Sequence, residues 1–307
     1  MMKKVVVGLG ELLWDLLPSG ERLGGAPANF TVMASRLGNR GVIASRLGED
    51  QWGSRALEIL GSFPTDLSHL QSDPAHPTGT VGVEIVHSEA HYAFRERAAW
   101  DFLEWTPRWR ELAQMADAVC FGSLAQRAET SRSTIRNFVA ATRPDCVRVF
   151  DVNLRPPFFS ADVIRESLAT ATIFKLSEAE IPQVLGILGT NLRGRAEEDI
   201  LRAADWLLGH FPIRLVAVTM GAEGSLLVTR EGAHRRRGIH GNVVDTVGAG
   251  DAFTAALADS YLRRASLAQM NEAGNRWGAW VASQQGAMPD LSAETLAEIQ
   301  GLVASHT

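Results

Sequence analysis

The segment Val243–Phe253, VVDTVGAGDAF, is the stretch from which the fold can be predicted. The small residues Gly248–Gly250 directly precede Asp251 and the run Ala252–Ala258, which is rich in good helix formers. Small residues where a helix begins let backbone N–H groups approach a ligand, and the helix start favours negative charge. The carboxylate of Asp251 is therefore either a helix cap or a base that deprotonates a hydroxyl attacking a phosphoryl group.

A second segment near the N-terminus, Gly24–Phe30 (GGAPANF), also opens a predicted helix. Pro27 suits the first turn of that helix, and Asn29 adds a polar group. With Gly24–Phe30 first along the chain and Val243–Phe253 second, the two segments resemble the two signatures of the ribokinase-like (PfkB-type) sugar kinases. The resemblance runs along nearly the whole chain. It implies an α/β fold with a mostly parallel sheet, helices on both faces and a small β lid.

The order of predicted elements agrees with this fold. Apolar strands alternate with helices along most of the chain, which predicts a mostly parallel sheet covered on both faces. Two segments interrupt the alternation, because residues 80–86 and 91–95 read as a hairpin joined by residues 87–90. By resemblance, residues 11–23 and 79–100 are the lid segments of a single kinase domain over residues 1–307.

Composition excludes several classes of function. The 307 residues are 46% hydrophobic and 21% charged, which is typical of a globular protein, and the formal net charge is −5. This charge and the lack of a long basic run argue against nucleic acid as a partner. We interpret the one basic cluster, Arg235–Arg237, as a solvated loop or strand end rather than an anion site.

The cellular compartment is predicted from cysteines and N-terminal residues. Cys120 and Cys146 have apolar neighbours and read as core thiols of a reducing compartment. Glu11 and Asp15 interrupt the apolar segment that an export signal would need. No apolar run reaches the length of a membrane span, so the sequence predicts a cytoplasmic protein without a membrane partner.

Two nucleotide-binding motifs of other folds do not match this chain. Gly8–Gly10 follows a predicted strand, but Leu13 stands where a dinucleotide fingerprint needs its third glycine. The chain also has no Gly-Lys-Ser or Gly-Lys-Thr of a phosphate-binding loop. An NAD-dependent reductase is therefore a disfavoured alternative.

The resemblance implies a sugar-binding set. Its members are Asp15, Gly24, Gly25, Asn29, Phe94, Arg97, Asn153 and Arg155. A carboxylate such as Asp15 can accept hydrogen bonds from two sugar hydroxyls. Alternative interpretations remain open: turn residues at Asp15 and Gly24, hairpin packing for Phe94, a solvated charge at Arg97, and a strand-end turn at residues 151–157.

Two segments of the chain look most like the fructokinase branch of the family, namely Glu11–Asp15 and Gly24–Phe30. Residues 151–157 resemble both fructokinases and 2-keto-3-deoxygluconate kinases. They support a hexose or hexonate substrate without choosing between them.

ATP, Mg²⁺ and K⁺ are the cofactors that the resemblance implies. The nucleotide set is Ser177, Thr219, Gly221, Gly224, Gly250 and Asn275, and Glu180 organises magnesium through water. The monovalent-cation set is Asp245, Val247, Val281, Gln284 and Gly286. Without the family, Ser177 and Glu180 are a capping box, and Asn275 is an exposed helical residue.

The predicted reaction is transfer of the γ-phosphoryl group of ATP to a primary hydroxyl, with D-fructose as the first choice of substrate. The catalytic set is Gly248, Ala249, Gly250 and Asp251, in which Asp251 takes the hydroxyl proton and the backbone N–H groups stabilise phosphoryl charge. Alternatives are a kinase for 2-keto-3-deoxygluconate, ribose or another sugar, and a catalytically dead binding protein. The partner is a small-molecule sugar, and a homodimer through the lid is an open possibility.

Overall fold

The structure is a computed structural model that describes residues 3–18, 20–86, 89–190, 192 and 196–304. The chain forms two compact units, Met1–Pro144 and Asp145–Thr307, and each is described by itself. The interpretation of residues 1–307 as a single kinase domain stays a prediction.

The first unit contains the predicted strands and helices and further short elements that the apolar pattern did not predict. In chain order they are β1 (Val5–Leu9), β2 (Leu13–Leu17), β3 (Gly20–Gly24), α1 (Ala26–Arg36), β4 (Arg40–Ala44), β5 (Arg46–Gly48), α2 (Gln51–Gly61), β6 (Gln71–Asp73), β7 (Gly79–Val86), β8 (Glu89–Phe94), α3 (Pro107–Met115), β9 (Ala118–Phe121) and α4 (Glu129–Ala141). Among the elements that were not predicted are β5, β6 and α3.

Three strands of this unit form a parallel sheet. Strand β1 pairs in parallel with β4 and with β9, so that Val7 lies opposite Val42 on one side and Val119 on the other. All three valines are fully buried. Strands that are buried on both faces read as continuous apolar runs rather than as an alternation.

The predicted lid segments form a separate four-stranded sheet in the order β3-β2-β7-β8. Residues 11–23 supply the hairpin of β2 and β3, and residues 79–100 supply β7 and β8. The predicted hairpin connection over residues 87–90 was too long, because Glu89 and Ala90 belong to β8 and Val86 pairs with Glu89. The remaining connecting residues, 87 and 88, lie outside the described residues.

The second unit begins with the same alternation. Its elements are β10 (Val147–Asp151), α5 (Ala161–Leu168), β11 (Ile173–Ser177), α6 (Ile181–Ile187), α7 (Glu197–His210), β12 (Leu215–Thr219), β13 (Ser225–Thr229), β14 (Gly232–Arg236), α8 (Ala249–Leu262), α9 (Leu267–Ala282) and α10 (Ala293–Ala304).

The sheet of the second unit changes direction towards its edge. Strands β10, β11 and β12 are parallel, whereas β13 and β14 continue the sheet as an antiparallel hairpin. The sequence analysis found the parallel strands and missed the hairpin. The α/β class with a largely parallel sheet is nevertheless confirmed.

The basic cluster Arg235–Arg237 lies at the end of β14, so the strand-end interpretation is confirmed. Arg237 is exposed, whereas Arg236 is half-buried and pairs with Glu272, which also binds Arg276 at 2.6 Å. Burial raises the pKa of Glu272, but the two arginines outweigh burial and hold that pKa below its ordinary value.

Both cysteines are free and buried, as predicted. In the part of the chain that the structure describes, no helix combines the length and the apolar character needed to cross a bilayer.

Candidate functional site

The N-terminus of α8 has the backbone that an anion site requires. Gly248 is the N-cap and adopts a left-handed conformation with φ 80° and ψ −8°. A methyl group on Gly248 would lie 2.5 Å from the Cβ of Ala287, so glycine is required by conformation and by space. Helix α8 begins at Ala249, as predicted. The first N–H groups of a helix have no acceptor within it, and they point outward with the positive end of the helix dipole.

Asp251 lies in the first turn of α8. Ala249 donates its N–H to the carbonyl of Thr246 at 3.3 Å, and Ala252 donates to Gly248 at 2.9 Å. The turn is thus closed by its own backbone. The carboxylate of Asp251 is therefore carried at the helix start, where a base for a hydroxyl nucleophile would be needed.

A buried ion pair links the carboxyl end of β10 to the middle of β11. Asp151 and Lys175 occupy the same register position on the two strands, and the Lys175 ammonium lies 3.1 Å from Asp151 Oδ1. The residues are 5% and 8% exposed. The hydroxyl of Thr254, on α8, lies 3.0 Å from Asp151 Oδ2, so the pair joins the two strands to that helix.

Several carboxylates of this cluster act on the pKa of Lys175. Burial lowers the pKa of Lys175, whereas the charge of Asp151 raises it. Glu180 and Asp251 act in the same direction, so that the pKa of Lys175 lies above its ordinary value. Burial raises the pKa of Asp151 above its ordinary value. The charge of Lys175 lowers this pKa, and the charge of Glu180 raises it.

Sequence reasoning missed Lys175 and Thr254. The available signal was a lone lysine inside the apolar strand Ile173–Leu176, because lysine is rarely buried without a partner. Its partner could not be identified, since only the pairing of β10 with β11 brings Asp151 beside it.

Ser177 and Glu180 form the predicted capping contacts. Glu180 Oε2 accepts hydrogen bonds from the backbone N–H and the hydroxyl of Ser177, both at 2.7 Å. Glu180 Oε1 accepts the N–H of Leu154 at 2.7 Å. The glutamate therefore joins the loop after β10 to the turn after β11, and it holds a negative charge at the carboxyl edge of the sheet.

The loop after β10 contains the predicted polar residues Asn153 and Arg155. Asn153 is half-buried and has a positive φ of 38°, which is uncommon for a residue other than glycine. Arg155 donates a hydrogen bond to the carbonyl of its neighbour Leu154 at 3.1 Å. Both side chains thus belong to the strand-end segment that Glu180 anchors.

Thr219 ends β12 directly opposite Ser177 in the parallel register. Gly221 and Gly224 follow it, with φ values of 52° and 95°. A methyl group at Gly224 would lie 2.1 Å from the carbonyl oxygen of Arg236, so contact with the chain's own backbone already requires this glycine. A role of either glycine towards a nucleotide stays a prediction.

Asn275 is 8% exposed, so its interpretation as an exposed helical residue is wrong. Its side-chain nitrogen lies 2.6 Å from Ser225 Oγ and 2.7 Å from the carbonyl oxygen of Asn271. This network ties α9 to β13. The predicted adenine contact of Asn275 remains a prediction.

The predicted monovalent-cation residues lie in two segments that the backbone joins. Asp245 Oδ1 accepts the N–H of Val247 at 3.0 Å, and Asp245 Oδ2 accepts the N–H of Gly286 at 3.1 Å. The carbonyl of Val281 accepts the N–H of Gln284 at 3.0 Å. The structure thus brings the two segments together through Asp245, which places a negative charge beside the carbonyl groups of the loop.

In the first unit, the structure brings Asp15 and Gly24 together. Strands β2 and β3 pair so that a methyl group at Gly24 would lie 2.6 Å from Asp15 Oδ2. Gly25 is the N-cap of α1 with φ 111°, and its carbonyl accepts the N–H of Asn29 at 3.0 Å. Asn29 is 5% exposed. The glycine pair therefore makes room for the carboxylate and turns the chain into the helix.

Phe94 and Arg97 lie at and beyond the end of β8. Phe94 pairs with Val81 and is half-buried. Arg97 is exposed and has a positive φ of 52°, and its guanidinium lies 3.5 Å from His76 Nε2. The guanidinium also lies over the ring of Phe102, 5.3 Å from its centroid.

His76 was not identified from the sequence. It stacks on Phe102 with ring centroids 3.5 Å apart, and its Nδ1 lies 3.0 Å from Asp73 Oδ2. The guanidinium of Arg97 therefore lies beside both the ring of Phe102 and the imidazole of His76.

The glycines after β1 serve packing within this unit. A methyl group at Gly8 would lie 2.1 Å from the carbonyl oxygen of Pro27, so α1 crosses this strand closely. This contact supports the rejection of a dinucleotide fingerprint at Gly8–Gly10.

Among the described residues, no three histidine, cysteine, aspartate or glutamate side chains form a group that could hold a metal ion. Magnesium that binds together with a nucleotide usually takes phosphate and water oxygens as ligands. Glu180 fits the water-mediated role because its carboxylate is fixed at the strand edge.

Solved structures identify the class to which this fold belongs. A fructokinase from Vibrio cholerae O395, crystallised with fructose, ADP and a calcium ion, superposes with a TM-score of 0.80 at 27% identity, covering 97% of this chain and 99% of the other. The sugar kinase PH1459 from Pyrococcus horikoshii, crystallised with ATP, gives a TM-score of 0.79 at 26% identity, covering 96% and 97%. The fold is thus that of the ribokinase-like sugar kinases.

The family follows from the sequence comparison. Residues 20–294 match the model of the pfkB family carbohydrate kinases, and the chain belongs to this family. A fructokinase from Escherichia coli is 32% identical over 312 aligned positions, which cover 95% of this chain and 97% of the relative. The predicted carbohydrate kinase class is confirmed, and the NAD-dependent alternative is not supported.

Proposed function

We propose that this protein is an ATP-dependent fructokinase that transfers the γ-phosphoryl group to a primary hydroxyl of D-fructose. The observation that carries the proposal is the first turn of α8, where a left-handed Gly248 opens the helix and Asp251 follows within the turn. The choice of fructose is supported by the full-length similarity to the E. coli fructokinase.

In this proposal, the first unit binds the sugar and the second unit carries the residues for phosphoryl transfer. In the first unit, Asp15, Gly24, Gly25 and Asn29 form the sugar-binding segment, with Phe94 and Arg97 as further contacts. A carboxylate that accepts hydrogen bonds from two hydroxyls is suited to a polyol. Asn153 and Arg155 are the proposed substrate contacts of the second unit.

Phosphoryl transfer itself belongs to the second unit. As the sugar oxygen forms its bond to the γ-phosphorus and the bond to the ADP oxygen breaks, Asp251 accepts the hydroxyl proton. The backbone N–H groups at Gly250 and Asp251 stabilise the negative charge of the phosphoryl oxygens. Magnesium, when bound with ATP, neutralises phosphate charge, and Glu180 would orient its water ligands.

The remaining assignments are parts of the same proposal. Ser177, Thr219, Gly221, Gly224 and Asn275 are the proposed nucleotide segment. The segments that Asp245 joins are the proposed potassium site. The two buried free thiols are consistent with a cytoplasmic enzyme. A homodimer would use the edge strands β3 and β8 of the four-stranded sheet.

The test is ADP release by the purified protein with Mg-ATP and potassium. The panel is fructose, 2-keto-3-deoxygluconate, ribose, adenosine and a blank without sugar. Turnover with fructose supports the proposal, whereas turnover with only the acidic sugar would replace fructose and direct attention to Arg97. Absence of turnover on every sugar would overturn the proposed activity.

The role of Asp251 is tested by Asp251→Asn. We expect kcat to fall by about 10²–10⁴-fold, the usual contribution of a positioned base, with the fold intact. The matched control is Asp259→Asn on the same helix, whose carboxylate instead pairs with Arg263 at 2.9 Å. A kcat for Asp251→Asn equal to that of the control would contradict the assignment.

A further inference from the structure

Lys175 is a charged residue in an apolar strand, and the proposed reaction has not used it. It lies between Phe174 and Leu176, both of which are fully buried, and its own side chain is 10% exposed. A buried ammonium is costly to desolvate and is retained only where partners hold it. Its position therefore calls for a physical reason.

The partner Asp151 connects Lys175 to the N-terminus of α8. One carboxylate oxygen contacts the ammonium, and the other contacts the hydroxyl of Thr254 at 3.0 Å. The same hydroxyl lies 2.8 Å from the carbonyl oxygen of Gly250, so its single proton can serve either acceptor. These contacts lead from the lysine to the first turn of the helix.

The ammonium also lies directly against that turn. A Cβ atom built on Gly250 would be 3.2 Å from Lys175 Nζ. The ammonium thus fills the space that a side chain at position 250 would take. Gly250 does not have a positive φ. The close approach of the ammonium, rather than the backbone conformation, is therefore the reason for a glycine at this position.

The charge balance favours a role in phosphoryl transfer. Asp151, Glu180 and Asp251 are the carboxylates whose charges act on Lys175. An entering phosphoryl group would add further negative charge at the same helix start. A fixed ammonium offsets this repulsion, and inside a protein its field acts more strongly than in water.

We propose that Lys175 is a positioning residue for phosphoryl transfer, held by Asp151 beneath Gly250, whose fixed positive charge keeps the first turn of α8 able to accept the phosphoryl group beside Asp251. This inference deepens the proposed kinase function and rests on it. It assigns Asp151 and Thr254 the task of holding the lysine. Lys175 acts through the backbone of the turn and exchanges no proton in the reaction.

The experiment separates this role from that of an ion pair that only stabilises the fold. The variants are Lys175→Met and the double variant Asp151→Asn/Lys175→Met, which replaces both charges by neutral groups of similar size. Replacing a buried ion pair as a whole is often neutral for stability, whereas removing one partner is not. The double variant should therefore melt at a higher temperature than Lys175→Met.

We expect kcat to be about 10- to 100-fold lower in both variants, as for loss of a unit charge acting inside a protein, with KM for the sugar unchanged. The affinity for Mg-ATP, measured by titration without sugar, should fall in both. Recovery of both kcat and ATP affinity to wild-type values in the double variant would overturn the inference and leave a structural ion pair.

The control is Arg236→Met, which removes the cation from another ion pair of the second unit, that with Glu272. It should lower the melting temperature and leave kcat and ATP affinity unchanged. Wild-type turnover on the sugar panel, read in parallel, decides the proposed function, whereas the ATP titration needs no sugar. A wrong sugar and a wrong role for Lys175 are therefore distinguishable.

Discussion

Gly248→Ala is the substitution whose cost can be worked out most directly from the structure. Gly248 has φ 80°, and an added Cβ would lie 2.5 Å from Ala287 Cβ and 2.6 Å from Ala287 Cα. Gly286 offers a matched control, because its φ is 79° and an added Cβ would meet nothing within 4 Å. The two positions share the conformational strain and differ in crowding.

The magnitudes follow from these two contributions. A left-handed conformation costs an alanine roughly 1–2 kcal/mol, and this cost applies at both positions. Overpacking adds about 1–3 kcal/mol where backbone and side chain must shift, and it applies only at Gly248. We therefore expect the free energy of unfolding to fall by about 2–5 kcal/mol for Gly248→Ala and by about 1–2 kcal/mol for Gly286→Ala.

Scanning calorimetry measures the melting temperatures of both variants. A loss of 1 kcal/mol lowers the melting temperature by about 2–4 °C for a unit of 150–250 residues, and the second unit, Asp145–Thr307, falls in this range. Gly248→Ala should therefore show the larger fall, together with a lower kcat because the first turn of α8 must move. Equal falls in the two variants would refute the argument that Ala287 crowds position 248.

Three further predictions concern other parts of the chain. Burial raises the pKa of Asp66, but hydrogen bonds from Ser68 and Arg40 outweigh burial and lower that pKa to about 2. Its contribution to stability is therefore present above about pH 4 and is lost as the pH falls towards 2. The melting temperature of Asp66→Asn should lie below that of the wild type at pH 7, and the gap should narrow on acidification; a constant gap would contradict this. Gly24→Ala places a methyl group 2.6 Å from Asp15 Oδ2, so KM for the sugar should rise by about tenfold, or roughly 1.4 kcal/mol of lost binding, and an unchanged KM would remove Asp15 from the sugar site. Asp245→Asn weakens the charge beside the proposed potassium site, so half-maximal activation should need more potassium; an unchanged potassium titration would argue against a cation there.

The predicted pH dependence comes from the carboxylate of Asp66. Asp66 is charged in the folded state at neutral pH and must be protonated during acid unfolding, which favours the unfolded chain. Because Asp66 is half-buried, solvent screening reduces the contribution of this ion pair to about 1 kcal/mol.

Local sequence was sufficient wherever the signal lay within one or two turns of chain. The start of α8 at Ala249 followed from two glycines and a helix-forming run, and the contacts of Ser177 with Glu180 followed from their spacing of three. The parallel strands and most of the helices followed from apolar periodicity. These features depend on neighbours along the chain, so the residue pattern carries them directly.

Local sequence failed where the deciding contact was distant along the chain. Asn275 reads as an exposed helical residue, yet packing of α9 on β13 buries it against Ser225. The sequence also did not indicate that a side chain at Gly224 would meet the backbone of Arg236. Both environments come from the hairpin of β13 and β14, which the sequence analysis missed.

The amino-acid sequence by itself determined the family, the α/β class, the start of α8 and the residue proposed as the base, because residues close together along the chain carry these signals. Only the tertiary structure decided that Lys175 lies against Gly250 and that Asp151 holds it there. The physical reason is strand register. Pairing of β10 with β11 places Asp151 opposite Lys175, and no local pattern of either strand specifies the partner.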